Sequence, residues 1–285
     1  MITLSSEDFR ITIDPFGAEL KSVIHIPSET EFIWQANQEV WPRHAPVLFP
    51  FVGRLNNFQY RHNKQTYTIE QHGFARDLMF EVISQSDLEV VLELTNTAHT
   101  MQRYPFIFSF KVTFSLNHNS LTMGFEVENK SNGPMPVSFG GHPAFNIKSP
   151  EDTSIVFEND LDPKTWKLKN NMVTNTMESV TDGKGKIHVN AKTFEGDALI
   201  FKNLNSHWVK LQSNTTGYAV KVSINGWPYL GIWAKPASDF VCLEPWQGLA
   251  DNEGFAGEVK DKEGIVMLDT DEVIKKSFMM AFFPH

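Results

Sequence analysis

The chain has 285 residues, 41% of them apolar, with 23 Phe and 7 Trp, which is enough to build a sizeable core and too apolar for a disordered segment. Its 34 acidic residues outnumber 25 basic ones for a net charge of −9. Without a Lys/Arg run, that disfavours nucleic acid or an anionic membrane as partner, but leaves room for a small anion held by one or two arginines. Its single cysteine, Cys242, excludes an intramolecular disulfide framework and a multi-cysteine zinc site.

At the amino terminus, Met1 to Asp8 has no basic region followed by an apolar stretch, so it does not read as a secretory signal. No apolar run approaches the roughly 18 residues of a membrane span. The expectation is a soluble, cytoplasmic protein.

Period-two alternation then dominates the chain. Short runs at Phe9–Ile13 and Val90–Leu94 lead to the clearest one, Phe106–Phe114, where every second residue is large and apolar. After the turn Asn117-His118-Asn119-Ser120 the pattern resumes with Leu121, Met123, Phe125 and Val127. Alternate side chains of a strand point to opposite faces, so these two runs predict an antiparallel hairpin. Further strands are predicted at Ser154–Phe157, Trp208–Leu211, Tyr218–Ile224 and Tyr229–Trp233. Lys164 to Gly185, with its Asn, Asp and Gly pairs, reads as surface loops or a small excursion. The tail from Glu272 to Phe283 leans to strand. Useful helical periodicity is nearly absent, no repeat of propeller length is visible, and no Pro/Gly/Ser linker divides the chain. The expectation is one all-β domain over residues 1–285, a large antiparallel sandwich or a barrel.

Four polar clusters interrupt this pattern. Arg54 follows Phe49-Pro50-Phe51-Val52-Gly53, and His72 opens His72-Gly73-Phe74-Ala75-Arg76-Asp77. His142 lies in Phe139-Gly140-Gly141-His142-Pro143-Ala144-Phe145-Asn146, and Glu244 in Leu243-Glu244-Pro245-Trp246-Gln247-Gly248. One histidine among apolar residues is more often a hydrogen-bonded core group than a catalyst. Two of them, with an arginine and a glutamate, all in Gly/Pro/aromatic segments, shift the balance towards function. Semi-apolar surroundings would bring an imidazole and a carboxylate to pKa values suited to proton transfer near neutrality. Asp197, just before Ala198-Leu199-Ile200-Phe201, reads first as a residue ending a loop, and secondarily as one projecting into a site.

Competing chemistries are less well supported. Two histidines and a carboxylate match an iron facial triad in composition, but the closely spaced His-x-Asp/Glu or His-x-His element is missing. Cys242 reads as a small buried hydrophobe rather than a nucleophile. Neither phosphate-loop pattern is present.

At these residues the chain resembles the aldose 1-epimerase (galactose mutarotase) family, and within it the LacX-like branch. The resemblance rests on Gly17-Ala18-Glu19-Leu20, Leu48 to Arg54, His72 to Arg76, Gly141 to Asn146 and Leu243 to Trp246. They stand in the family's order and span most of the chain. It implies a galactose mutarotase-like supersandwich with an open cleft for a small-molecule sugar, and anomerisation of a free aldose without cofactor or metal. By motif position it gives Glu244 as general base and His142 as general acid, with His72 and Arg54 holding the sugar. Asp197 matches more loosely, as an acidic sugar ligand. Arg76 is a feature of the branch and keeps a hexose 6-phosphate open as substrate. A sugar-binding protein without useful turnover is a third reading, which the intact acid–base pair disfavours. Trp246, Phe74 and Phe145 either cover a sugar face or belong to the core.

Overall fold

The structure, a computed structural model describing residues 1–284, is built almost entirely of antiparallel strands. Among those residues the helical elements are one turn at Ala98–Met101 and 3-10 turns at Asn56–Phe58, Ala75–Asp77 and Val259–Asp261. None is long and apolar enough to cross a membrane.

The predicted hairpin pairs Phe108–Asn117 with Ser120–Asn129, and Phe114 lies opposite Met123. Phe108, Phe110, Val112, Phe114 and Leu116 alternate inward and are buried, each contributing about 1.5–3 kcal/mol by leaving water. This hairpin is central to a nine-stranded sheet running from Lys186–His188 to Glu81–Gln85. The tail supplies its long strand Val273–Phe283, which pairs with Ser120–Asn129. The expected lean to strand was therefore right.

A second large sheet contains Leu199–Lys202, Tyr229–Trp233, Phe240–Gln247, Phe139–Gly141 and Val47–Leu48 in hydrogen-bonded order. The two sheets meet through aromatic contacts such as Phe125 with Phe139, centroids 5.9 Å apart, and Phe157 with Phe201, at 5.1 Å. A four-stranded sheet, Ile2–Ser5 to Thr30–Glu31, adds its apolar face to the same core. Of the sandwich and the barrel that the alternation left open, the structure is the antiparallel sandwich that the family resemblance implied.

One reading is corrected. Lys164 to Gly185 is not mainly surface loop: Lys164–Lys169 and Met172–Ser179 form a hairpin at the edge of the second sheet. Exposure along Thr174 to Ser179 had made the strand look like loop. The Asn170-Asn171 turn, with φ of 54° and 63°, is the two-residue connection that left-handed asparagines favour.

The strand Phe240–Gln247 positions the polar centre. It is buried at every residue but Gln247. Period two puts Glu244 and Trp246 on one face and Leu243 and Pro245 on the other. Gly231 lies opposite Glu244 in register. A Cβ there would stand 2.4 Å from the Trp246 ring, so glycine leaves room for the indole beside the carboxyl.

Candidate active site

Every residue singled out in the polar clusters, with Asp197, lines one cavity of about 360 Å³: Arg54, His72, Arg76, His142, Asp197 and Glu244. That is the size class of small-ligand sites. The six come from five segments of the chain, which the fold brings together.

His142 and Glu244 are in direct contact, Nε2 to Oε2 at 3.2 Å. Glu244 is 1% exposed. Burial pushes its carboxyl well above the ordinary range, and the negative charge of Asp197 adds to the effect. His142 is pushed down to about 3 by burial and by the positive charges of Arg76 and Arg43. Its ring stacks on Trp41 at 5.1 Å and meets the edge of Trp233 at 5.8 Å. Those two indoles fix its plane and exclude water. Both shifts favour the same arrangement, with the pair's proton on the carboxyl and the imidazole neutral.

His72 sits in the left-handed region at φ 67°, an uncommon backbone state for a residue with a side chain. Gly73 follows at φ 72°, where a Cβ would lie 2.2 Å from the Phe49 carbonyl oxygen. The tight turn thus lays His72 against the Arg54 segment. The Gly53 N–H donates to His72 Nδ1 at 3.2 Å and the His72 N–H to the Gly53 carbonyl at 2.9 Å. A neutral ring accepting at Nδ1 carries its proton on Nε2. Burial, with the charge of Arg76, holds the ring well below its ordinary pKa, so it is a neutral donor.

Arg54 lies over the Phe58 ring at 4.3 Å and donates to Asn171 Oδ1 at 3.3 Å. Asp197 occupies the left-handed region at φ 79°. Its Oδ1 accepts the Ala198 N–H, and its Oδ2 accepts from Asn171 Nδ2, both at 2.8 Å. Between its two readings, loop end and cavity group, both hold: it precedes the strand Leu199–Lys202 and lines the cavity. Arg76 donates to the Gln71 carbonyl at 2.7 Å and lies 3.6 Å from Asp77, which in turn pairs with Arg43 at 2.9 Å. Burial pulls its guanidinium down to about 10.

Trp246 lines the cavity, whereas Phe74 and Phe145 are core residues, 2% and 0% exposed. Sequence reasoning missed Trp41, Trp233, Gln71 and Asn171, all of which reach the cavity. The Asn170-Asn171 turn was legible, but its destination was not. His142, Cys242 and Glu244 each offer a metal-ligating atom, all within 4.8 Å of one another. Burial and the Glu244 charge raise the Cys242 thiol, so a cation there would first have to displace a tightly held proton.

A sequence profile described as aldose 1-epimerase matches residues 1–265. The chain is 28% identical to the plasmid-encoded protein LacX of Lactococcus lactis, over 97% of both chains. Its structure is similar to a galactose mutarotase related enzyme from Lactobacillus acidophilus, with TM-score 0.95 and 33% identity, covering 99% of this chain and 97% of that one. It is also similar to a galactose mutarotase-like protein from Lactobacillus casei, with TM-score 0.94 and 28% identity, covering 99% and 100%. The chain belongs to the aldose 1-epimerase family.

Proposed function

We propose that this protein interconverts the α and β anomers of a free aldohexose by opening and reclosing the sugar ring. The observation that carries the reading is the contact of His142 Nε2 with Glu244 Oε2 at 3.2 Å, inside a cavity with separate polar groups to hold a sugar. Ring opening removes the proton of the C1 hydroxyl, breaks the bond from C1 to the ring oxygen, and protonates that oxygen. Both oxygens are on one carbon, so acid and base must converge from different directions on one small locus.

The pair works with one proton between its members. With that proton on His142, Glu244 is the base for the C1 hydroxyl and His142 the acid for the ring oxygen. After ring opening the proton taken from the sugar is on Glu244 and His142 is neutral, the distribution that burial favours. Rotation about the C1–C2 bond presents the other face of the aldehyde, and the same transfers run backwards to close the ring. General acid–base catalysis of this kind contributes about 10²–10⁴-fold per group. His72, Arg54 and Asp197 hold the hydroxyls, so that the reacting bond stays beside the pair. No cofactor enters this scheme.

Polarimetry of freshly dissolved α-glucose and α-galactose tests it. The protein should accelerate the approach to equilibrium with one or both sugars. No acceleration with either would overturn the free-hexose reading. A second reading, a hexose 6-phosphate as substrate, is favoured by one observation: two arginines, Arg54 and Arg76, line the cavity. Guanidinium groups suit phosphate oxygens. Faster turnover of glucose 6-phosphate than of glucose would select it.

A further inference from the structure

Arg54 and Asp197 carry opposite charges in the same cavity, yet no contact within 4.0 Å pairs them. Asn171 stands between. Its Oδ1 accepts from Arg54 at 3.3 Å and its Nδ2 donates to Asp197 at 2.8 Å. A primary amide offers an acceptor to a guanidinium and a donor to a carboxylate at the same tip, on separate atoms.

We infer that Asn171 is a positioning residue for the sugar: it is a neutral spacer that keeps Arg54 and Asp197 from collapsing into a direct ion pair, so that each keeps a free edge for sugar hydroxyls. The inference rests on the proposed sugar-binding role of those two residues.

Other features show that the spacer is built in. Asn171 ends the two-residue turn of the hairpin Lys164–Lys169/Met172–Ser179, with φ 63°. The same hairpin is tied to the chain behind Arg54: the Val173 N–H donates to the Asp251 carbonyl at 2.9 Å, and the Asp251 N–H to the Arg54 carbonyl at 3.0 Å. The Glu253 N–H returns to the Val173 carbonyl at 2.8 Å. One hydrogen-bonded line therefore sets the distance between the amide tip and the guanidinium it holds. Without the amide, the attraction between the two charges favours their direct contact.

The choice of variant separates spacer from turn. Asn171→Gly removes the amide but suits a positive φ at least as well as asparagine. Asn170→Gly changes the same turn without touching the bridge and serves as control. Crystal structures of parent and Asn171→Gly read the effect without any sugar. The variant should show Arg54 and Asp197 in direct contact. Sugar affinity, followed through the fluorescence of Trp41, Trp233 and Trp246 in the cavity, should weaken about 10- to 100-fold. KM should rise with it, while kcat changes little, because the lost contacts hold substrate and transition state alike. The alkaline limb of the rate profile should move to lower pH, since Arg54 then masks the Asp197 charge that Glu244 feels. Asn171→Asp should weaken affinity as well but move that limb upward, by adding a negative charge. It also tolerates the left-handed turn, so it decides the matter if the glycine variant folds poorly.

Arg54 and Asp197 still apart in the glycine variant, or an affinity no different from the Asn170→Gly control, would overturn the inference. A parent that binds sugar without turning it over defeats the proposed activity only; the structures and affinities still decide the role of Asn171.

Discussion

Glu244→Gln separates the chemistry of this site from its binding. Glutamine keeps the shape of the side chain and a polar tip within reach of His142 Nε2, which lies 3.2 Å from the carboxyl, but it cannot take a proton. The expected loss is about 10²–10⁴-fold in rate, about 2.7–5.5 kcal/mol of barrier, with sugar binding largely kept. Stability should move the other way. The folded-state pKa of Glu244 is raised above its ordinary 4.5, so the folded chain holds a proton that the unfolded chain has already released. Its contribution is therefore fully present at low pH and is lost as pH rises through the folded pKa, at up to about 1.4 kcal/mol per pH unit. The glutamine variant lacks that penalty. By about pH 7 it should be more stable than the parent and melt at a higher temperature, with little difference near pH 4. Polarimetry and thermal melts at the two pH values measure both effects. Equal rates in variant and parent would refute the assignment of Glu244 as base. A melting temperature that falls at neutral pH would refute the account of a carboxyl held against its charge.

Further outcomes follow from the same geometry. The rate should need exactly one proton on the His142–Glu244 pair, with an acid limb near 3, where His142 takes a second, and an alkaline limb above the usual carboxylate range. The sequence alone pointed to both groups working near neutrality; direct contact and burial move their preferences apart. A tenfold fall per unit starting at 6.5 on the acid side would contradict this. Asp251 and Lys262 form a buried ion pair at 3.2 Å behind Arg54, and Asp251 Oδ2 also accepts the Asn56 N–H at 2.8 Å. Asp251→Ala leaves the ammonium unpaired and should cost about 3–5 kcal/mol in denaturant melts; a loss under about 1 kcal/mol would mean the pair is effectively solvated. Cys242 is 0% exposed with its thiol pushed up, so a thiol reagent should label it only in denaturant. Rapid labelling of the folded protein would show that the strand Phe240–Gln247 opens.

Much of this protein was fixed by its sequence, because the dominant signal was local. Alternation from Phe108 to Val127 defines two strands whatever they pair with, since a strand with one apolar face must bury it. The Gly, Pro and aromatic settings of Arg54, His72, His142 and Glu244 were equally local, and all four reach one cavity. Lys164 to Gly185 was misread for a related reason. An edge strand with solvent on its outer half, as from Thr174 to Ser179, needs no apolar alternation and so shows none.

Proximity was what only the tertiary structure decided. No pattern around Trp41 or Trp233 says that their rings enclose His142, and nothing near Asn171 names Arg54 and Asp197 as its partners. Those contacts depend on sheet order and on which face a turn overhangs. The proton balance of the central pair has the same origin. His142 and Glu244 are ordinary titrating residues in the chain, and their unusual preferences arise from the charges and low-dielectric surroundings that folding gathers around them.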